Sequence, residues 1–238
     1  MTSRRAPRNT IDRDRIVIGA RALLDQRGLG ALTMRALADE LGVRPMALYH
    51  HVATKDELLD LLVDRVFAGV YVPLPDGDWR HELAERSRSL RSALSSHPWA
   101  LSVMESRKRP GASSLRQHEA VLATMRGSGF SVPAAAHGYA LLDAFVYGFA
   151  LQEVMLGDAG LRDDPQELAA GIDFSASPHV AEVAQMHLSA NADLFSPSFD
   201  VGLTAVLDGL ASIAEDFRDP SEGESFFVTP DSPGPIRR

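Results

Sequence analysis

Apolar residues recur at three- and four-residue intervals along almost the whole chain, and no run of alternating apolar and polar residues persists. That period lets a helix bury one stripe but denies a strand a consistent inner face. The fold class it predicts is all-α. With 238 residues and 45% hydrophobic composition, the chain can bury a sizeable core in one or two domains. No bilayer-length apolar stretch is free of a charge or breaker, so no membrane partner is expected. The first residues lead through Arg4 and Arg5 to Pro7 rather than into an apolar leader, and the expected location is the cytoplasm. Cysteine is absent, which excludes disulfide scaffolds, Cys-ligated metal centres and thiol nucleophiles.

Breakers divide the helical pattern. Residues 1–11 are polar and basic and read as a flexible arm. Asp12 is placed to cap a first helix with the apolar stripe Ile16, Val17, Ala20, Leu23 and Leu24, and Gly28 to stop it. Thr33 should cap a short second helix, Gly42 should supply a turn, and a third short helix should run from Pro45 to about His51. Thr54, with Glu57 three residues later, predicts the capping box of a connecting helix over 55–70. These elements make a small domain over 12–54 and its connecting helix. A Pro/Gly/Asp cluster at 72–78 opens a larger helical body over 71–217. Asp78 should cap its first helix, with Trp79, Leu83, Leu90 and Leu94 facing inward. Further helices are expected after Pro98 and over 113–126, 133–156, 178–191 and 198–217, with a long loop over 157–177. Residues 218–238, rich in Pro, Gly, Ser and acids, read as a disordered tail.

The net charge of −8 argues weakly against a nucleic-acid partner until it is divided along the chain. Residues 1–55 hold ten Lys/Arg and five acids, a net of +5, whereas the remainder hold 14 and 27, a net of −13. A basic end on an acidic body suits binding of DNA by that end alone, because phosphate neutralisation supplies most non-specific affinity.

The run from Leu32 to Val52 has the form of a helix-turn-helix, two helices of about two turns joined at a glycine. Ala38 is small enough to let the helices approach, and Leu37, Leu41, Val43 and Leu48 supply their shared core. Arg44, Pro45, Met46 and Ala47 crowd the start of the second helix, where side chains reach base edges. Tyr49, His50, His51 and Lys55 offer donors for flanking phosphates.

This stretch resembles the TetR family of bacterial transcriptional regulators, and within it the tetracycline-repressor subgroup. The similarity is carried in order by Leu-Thr-x-Arg-x-Leu-Ala-x-x-Leu-Gly-Val from Leu32, by Ala47-Leu48-Tyr49-His50-His51-Val52, and by Lys55-Asp56-Glu57-Leu58-Leu59. It extends loosely through Trp79, Ala93–His97 and Gly127–Ser131 to about residue 217. The resemblance implies a ligand-responsive DNA-binding regulator, a repressor released from a palindromic operator by a small apolar effector. It assigns Arg35 to a base contact, for which guanine suits the planar guanidinium. Pro45 and Met46 fall at base-facing positions, with Pro45 where the subgroup carries a polar reader. Thr33, Tyr49, His51 and Lys55 match phosphate-contacting positions, and His50 replaces a Trp. Arg4, Arg5 and Arg8 of the arm are candidates for a minor groove, or a solvated leader.

A palindromic site needs a second copy of the head, half-sites lying ~34 Å or a multiple apart. The helices over 133–156 and 198–217 are apolar over more than one stripe, and the resemblance pairs them across a two-fold axis in a homodimer; packing inside one subunit is the alternative. Among the remaining core residues, Leu90, Trp99, Met104, Met125 and Tyr147 mix thioether and aromatic groups suited to a flat effector. Met104 and Gln152 stand where tetracycline repressors place the His and Glu that handle the drug's magnesium, so metal-chelated tetracycline is not expected as the ligand. No metal or other cofactor is expected.

Enzyme readings find no constellation. His81-Glu82 and His118-Glu119 begin like a zinc-protease motif, but Glu85 and Leu122 stand where its second histidine belongs. His179 and Glu182 share a helix face with no third ligand, and Ser128 lacks the spacing of a nucleophile elbow. The competing reading to the regulator is a helical small-molecule-binding protein that has lost DNA recognition, supported by Pro45 and the acidic body.

Overall fold

The computed structural model describes residues 11–105, 110–158, 171–189 and 195–216. The expected arm, the tail and most of the 157–177 loop therefore lie outside the described residues. Within them the chain forms α1 (Arg13–Arg27), a 3-10 turn (Leu29–Ala31), α2 (Met34–Leu41), α3 (Pro45–Tyr49) and α4 (Lys55–Ala68). The body adds α5 (Trp79–Ser96), α6 (Trp99–Glu105), α7 (Ala112–Gly127), α8 (Val132–Asp158), α9 (Pro178–Ser189) and α10 (Phe195–Asp216).

The head is built on side-chain caps. Asp12, Thr33 and Thr54 accept from the backbone N–H groups of Arg15, Ala36 and Glu57 at 2.8, 3.0 and 3.0 Å, each satisfying a donor that its helix leaves unpaired. The capping box at Thr54 differs from its expected form. The Glu57 carboxylate reaches past Thr54 to the N–H of Ala53 at 2.8 Å, and its other oxygen pairs with Arg13 of α1. The N-terminus of α4 is thereby tied to α1. Gly42 closes α2 in the left-handed region, φ 68° and ψ 34°, as a glycine turn requires. α3 stops at Tyr49, two residues short of the expected His51, as the chain tightens over Leu48–Val52.

In the body α5 lies on α8, and α8 packs on α10. The α8–α10 seam holds a cluster of Phe145, Phe149 and Phe199 with ring centroids 5.1–5.9 Å apart. Two buried ion pairs cross from α5 to α8, Arg86 to Asp143 and Arg91 to Glu153, the latter engaging both carboxylate oxygens. Arg91 also lies over the Phe149 and Phe199 rings. By length and composition one helix, Val132–Leu156, could cross a membrane, although the sequence reading expects no such stretch. Its buried Asp143 and Glu153, both paired with arginines of α5, identify it as the central helix of a protein core.

Two consequences follow for stability. A Cβ at Gly42 would meet nothing within 4 Å, so Gly42→Ala should cost only the left-handed backbone penalty. That is about 1–2 kcal/mol, readable as a lowered urea midpoint at unchanged slope. The second concerns acid. Glu82, buried on α5, accepts from Leu74 N–H at 2.9 Å and Tyr71 O–H at 2.8 Å, and these bonds hold its carboxyl below the usual range. The stabilisation is complete above the unfolded value, about 4.3, and disappears as pH falls through the lower native value. Glu82→Gln should flatten this limb of a pH–stability profile, measured by urea melts between pH 3 and 6.

Candidate functional site

The face of α2 and α3 that points away from the body rests on a packed platform. Leu32, Leu37, Ala38, Leu48 and Val52 are fully buried against Ile16, Ala20, Leu23 and Leu24 of α1 and Leu58 and Leu62 of α4. With those positions committed inward, the helical period turns the others outward. Thr33, Arg35, Arg44, Pro45, Met46, Tyr49, His50, His51 and Lys55 are all exposed, and the structure brings them together on one short helix pair and the first turn of α4. Met46 keeps 69% of its surface in water, a cost that nothing in the subunit offsets. Pro45 at the first turn of α3 fixes the entry of that helix. The Thr33 hydroxyl accepts from Ala36 and can still donate to a phosphate.

Charge is sorted across the head as well. Arg13, Arg21 and Arg27 on α1 pair with Glu57, Asp25 and Glu40. Among the described residues no ion pair occupies Arg35, Arg44 or Lys55, the cations on the outer face. An anion arriving there has no internal carboxylate to displace.

Polar contacts join this head to the body, and the sequence reading misses all of them. Asp25 of α1 accepts from the indole N–H of Trp99 at 2.7 Å and lies 2.8 Å from Nδ1 of His97. Asp64 of α4 accepts from the N–H and hydroxyl of Ser113 at 2.6 and 3.0 Å, capping α7 from another helix. The approach is close enough that a Cβ at Gly111 would fall 2.3 Å from Asp64 Oδ1. Gln117 of α7 donates to the Val70 carbonyl at 2.8 Å, just beyond the end of α4. Nothing local in the sequence marks Asp64 or Gln117, since their partners lie 49 and 47 positions away.

The expected effector residues lie on α5, α6, α7 and α8 of the body. Leu90 and Met125 are fully buried, Trp99 is buried with its N–H engaged by the head, and Met104 and Tyr147 are half-buried. Gln152 lies on the exposed side of α8. The polar centre is instead Arg86 and Asp143, with the hydroxyls of Tyr139 and Tyr147 turned to the Asp143 carboxylate. Burial, and then that carboxylate, push both phenols above their usual range, so they remain donors at neutral pH. The His118 ring stacks on Tyr139 at 3.7 Å, nearly parallel. A signal for Arg86 did exist. Leu83, Leu90 and Leu94 define the inner face of α5, and position 86 falls on it.

The histidine–acid pairs do not converge. Glu82 is taken by Tyr71 and Leu74, and His179 meets Glu182 at 3.5 Å with both largely exposed. Among the described residues no three His, Asp or Glu side chains form a metal-sized group.

Residues 16–62 match the family described as bacterial regulatory proteins, tetR family, and residues 73–213 match the tetracyclin repressor-like C-terminal domain. The transcriptional repressor DrrR1 of Streptomyces coeruleorubidus is 33% identical over 225 residues, spanning 91% of this chain and 83% of its own. The class A tetracycline repressor from transposon 1721 of Escherichia coli is 31% identical, over 88% of this chain and 96% of its own. Among solved structures, apo ActR from Streptomyces coelicolor superposes with a TM-score of 0.70 at 31% identity, covering 87% of this chain and 98% of ActR. ActR in complex with actinorhodin gives the same TM-score and identity, covering 85% and 96%. With a helix-turn-helix head matching one half of the family and an all-helical body matching the other, the chain belongs to the TetR family of bacterial transcriptional regulators.

Proposed function

We propose that the protein is a cytoplasmic homodimeric repressor that leaves a palindromic operator when a small molecule enters its helical body. The observation that carries this reading is the outer face of α2, α3 and the start of α4, where an exposed methionine and three cations without ion pairs among the described residues stand over a fully packed platform. Arg35, Arg44, Pro45 and Met46 take the base edges, and Thr33, Tyr49, His50, His51 and Lys55 the backbone. ActR, similar over most of its length, has been solved with actinorhodin, which supports a ligand-responsive body here. The relatives are regulators, and no turnover is assigned to this chain.

The outward faces of α8 and α10 support dimerisation through these two helices. Although these helices pack on each other inside one subunit, Leu141, Leu151 and Met155 of α8 and Val201 of α10 stay 42–72% exposed. Ala140, Ala144 and Gly148 between them are small enough for a second pair of helices to approach. Ligand-driven movement of α4 would then alter the separation of two heads that must enter successive major grooves.

Two measurements test the reading. Selection from a random duplex pool should enrich an inverted repeat whose binding weakens steeply with salt. Arg35→Ala should cost roughly tenfold to a hundredfold in affinity for it, the order of about 1–3 kcal/mol expected for a bidentate base contact. Failure to enrich any motif with ligand-free protein would favour a binding protein without DNA recognition. Leu151→Asp with Val201→Asp should shift the protein to monomers in sedimentation and abolish binding of the full repeat. A variant that stays dimeric would refute this interface.

A further inference from the structure

A head that reads DNA must carry side chains complementary to base edges, and between Thr33 and Lys55 this chain has no Asn or Gln. Those amides are the side chains that grip N6 and N7 of adenine together. Arg35 and Arg44 are exposed and carry the planar fork that suits O6 and N7 of guanine. The feature left to set an A·T pair apart in the major groove is the C5 methyl of thymine, which an apolar side chain reads by contact.

Met46 is placed for that contact. Pro45 opens α3, so Met46 is the second residue of a helix only five residues long. Leu48 is fully buried and fixes the inner side of this single turn, whereas Met46 is 69% exposed, more than Met155 at 62% or Met186 at 58%. Pro45 before it and Ala47 after it bring no side-chain hydrogen-bonding group, so the start of α3 is an apolar edge. Arg44 precedes that edge, and Arg35 and Lys55 share the outer face, all three without ion pairs among the described residues. An apolar edge set among cations suits an apolar protein partner poorly, because closing such an interface would desolvate unpaired charge. It suits a groove with phosphate along its walls and methyl groups on its floor.

We propose that Met46 is a specificity-determining residue that reads the C5 methyl of a thymine, so that each operator half-site carries an A·T pair at that place. The inference rests on the DNA-binding reading above and adds the base edge that α3 recognises. Recognition here is by fit. The thioether is unbranched and polarizable and can follow the methyl closely. Cytosine at the same place would turn its N4 amino group toward a side chain that accepts hydrogen bonds only weakly, and its desolvation would go uncompensated.

The test uses the inverted repeat enriched by the full chain, and copies in which deoxyuridine replaces thymidine at one position at a time. That change removes the C5 methyl and leaves the pairing intact. Affinity is read from the anisotropy of the labelled duplex. At one position uracil should weaken binding about fourfold in a single half-site and about fifteenfold in both, the value of one and two methyl groups withdrawn from water. Met46→Ala should weaken binding of the thymine duplex and erase the difference between the two duplexes. Met46→Leu, which keeps an apolar side chain of similar volume, should retain it. Both variants should keep the wild-type urea midpoint, because the residue is exposed. Uracil without effect at every position, or a thymine preference that survives Met46→Ala, would overturn the proposal and leave the operator reading standing. A chain that enriched no motif would bring down the operator reading and this inference with it.

Discussion

The position of α4 governs what the head can do, and α4 is held at both ends by carboxylates that reach to other helices. At its start Glu57 pairs with Arg13 of α1 and accepts from Ala53. Farther along, Asp64 caps α7 through Ser113. A charged acceptor on the unpaired N–H groups of a helix start is among the stronger hydrogen bonds a protein makes, and it is directional. Such a contact lets a small displacement of α7 pass along a rigid helix into the head, where loose apolar packing would absorb it. Asp25, bound to Trp99 and His97, gives the head a second attachment to the body through α1. The recognition helix pair therefore has few independent degrees of freedom relative to the body.

The separation of charge along the chain has a counterpart in three dimensions. The head carries the positive excess, yet its arginines divide by role. Arg13, Arg21 and Arg27 of α1 are tied to acids and hold the platform together, whereas Arg35, Arg44 and Lys55 face outward without such ties among the described residues. The acidic body repels a phosphate backbone and confines attraction to the end that can read sequence. Paired arginines inside the body do different work. Arg86 and Arg91 would be costly alone in an apolar core, and with Asp143 and Glu153 they set the register of α5 on α8, a constraint that apolar contacts alone impose weakly.

What the sequence discloses follows from the range of the interaction. Caps and turns are local, so Asp12, Thr33, Gly42, Thr54 and Asp78 announce themselves, and the structure places each at its helix terminus. The outward set on α2 and α3 is legible for the same reason, because Leu37 and Leu48 fix which side is buried. The body resists such reading. A residue list built on aromatic and thioether character takes in the fully buried Leu90 and Met125 together with Gln152, which is exposed on the subunit surface. It passes over Arg86, Asp143 and Gln117, whose significance lies in partners 47 to 57 positions distant. Charged residues read by default as solvated. Only their place on an apolar face, as at Arg86 between Leu83 and Leu90, overrides that default.

Repression and release then become two readings of one equilibrium. A ligand can weaken operator binding only by the difference in its affinity for the free and the operator-bound protein, and operator opposes it by the same amount. A coupling of one to three kcal/mol, the usual order, changes operator affinity by roughly fivefold to 150-fold. Gln117 and Asp64 tie the far half of α4 and its exit to α7, and Glu57 ties its start to α1, so a shift of α4 reaches the body and the head together.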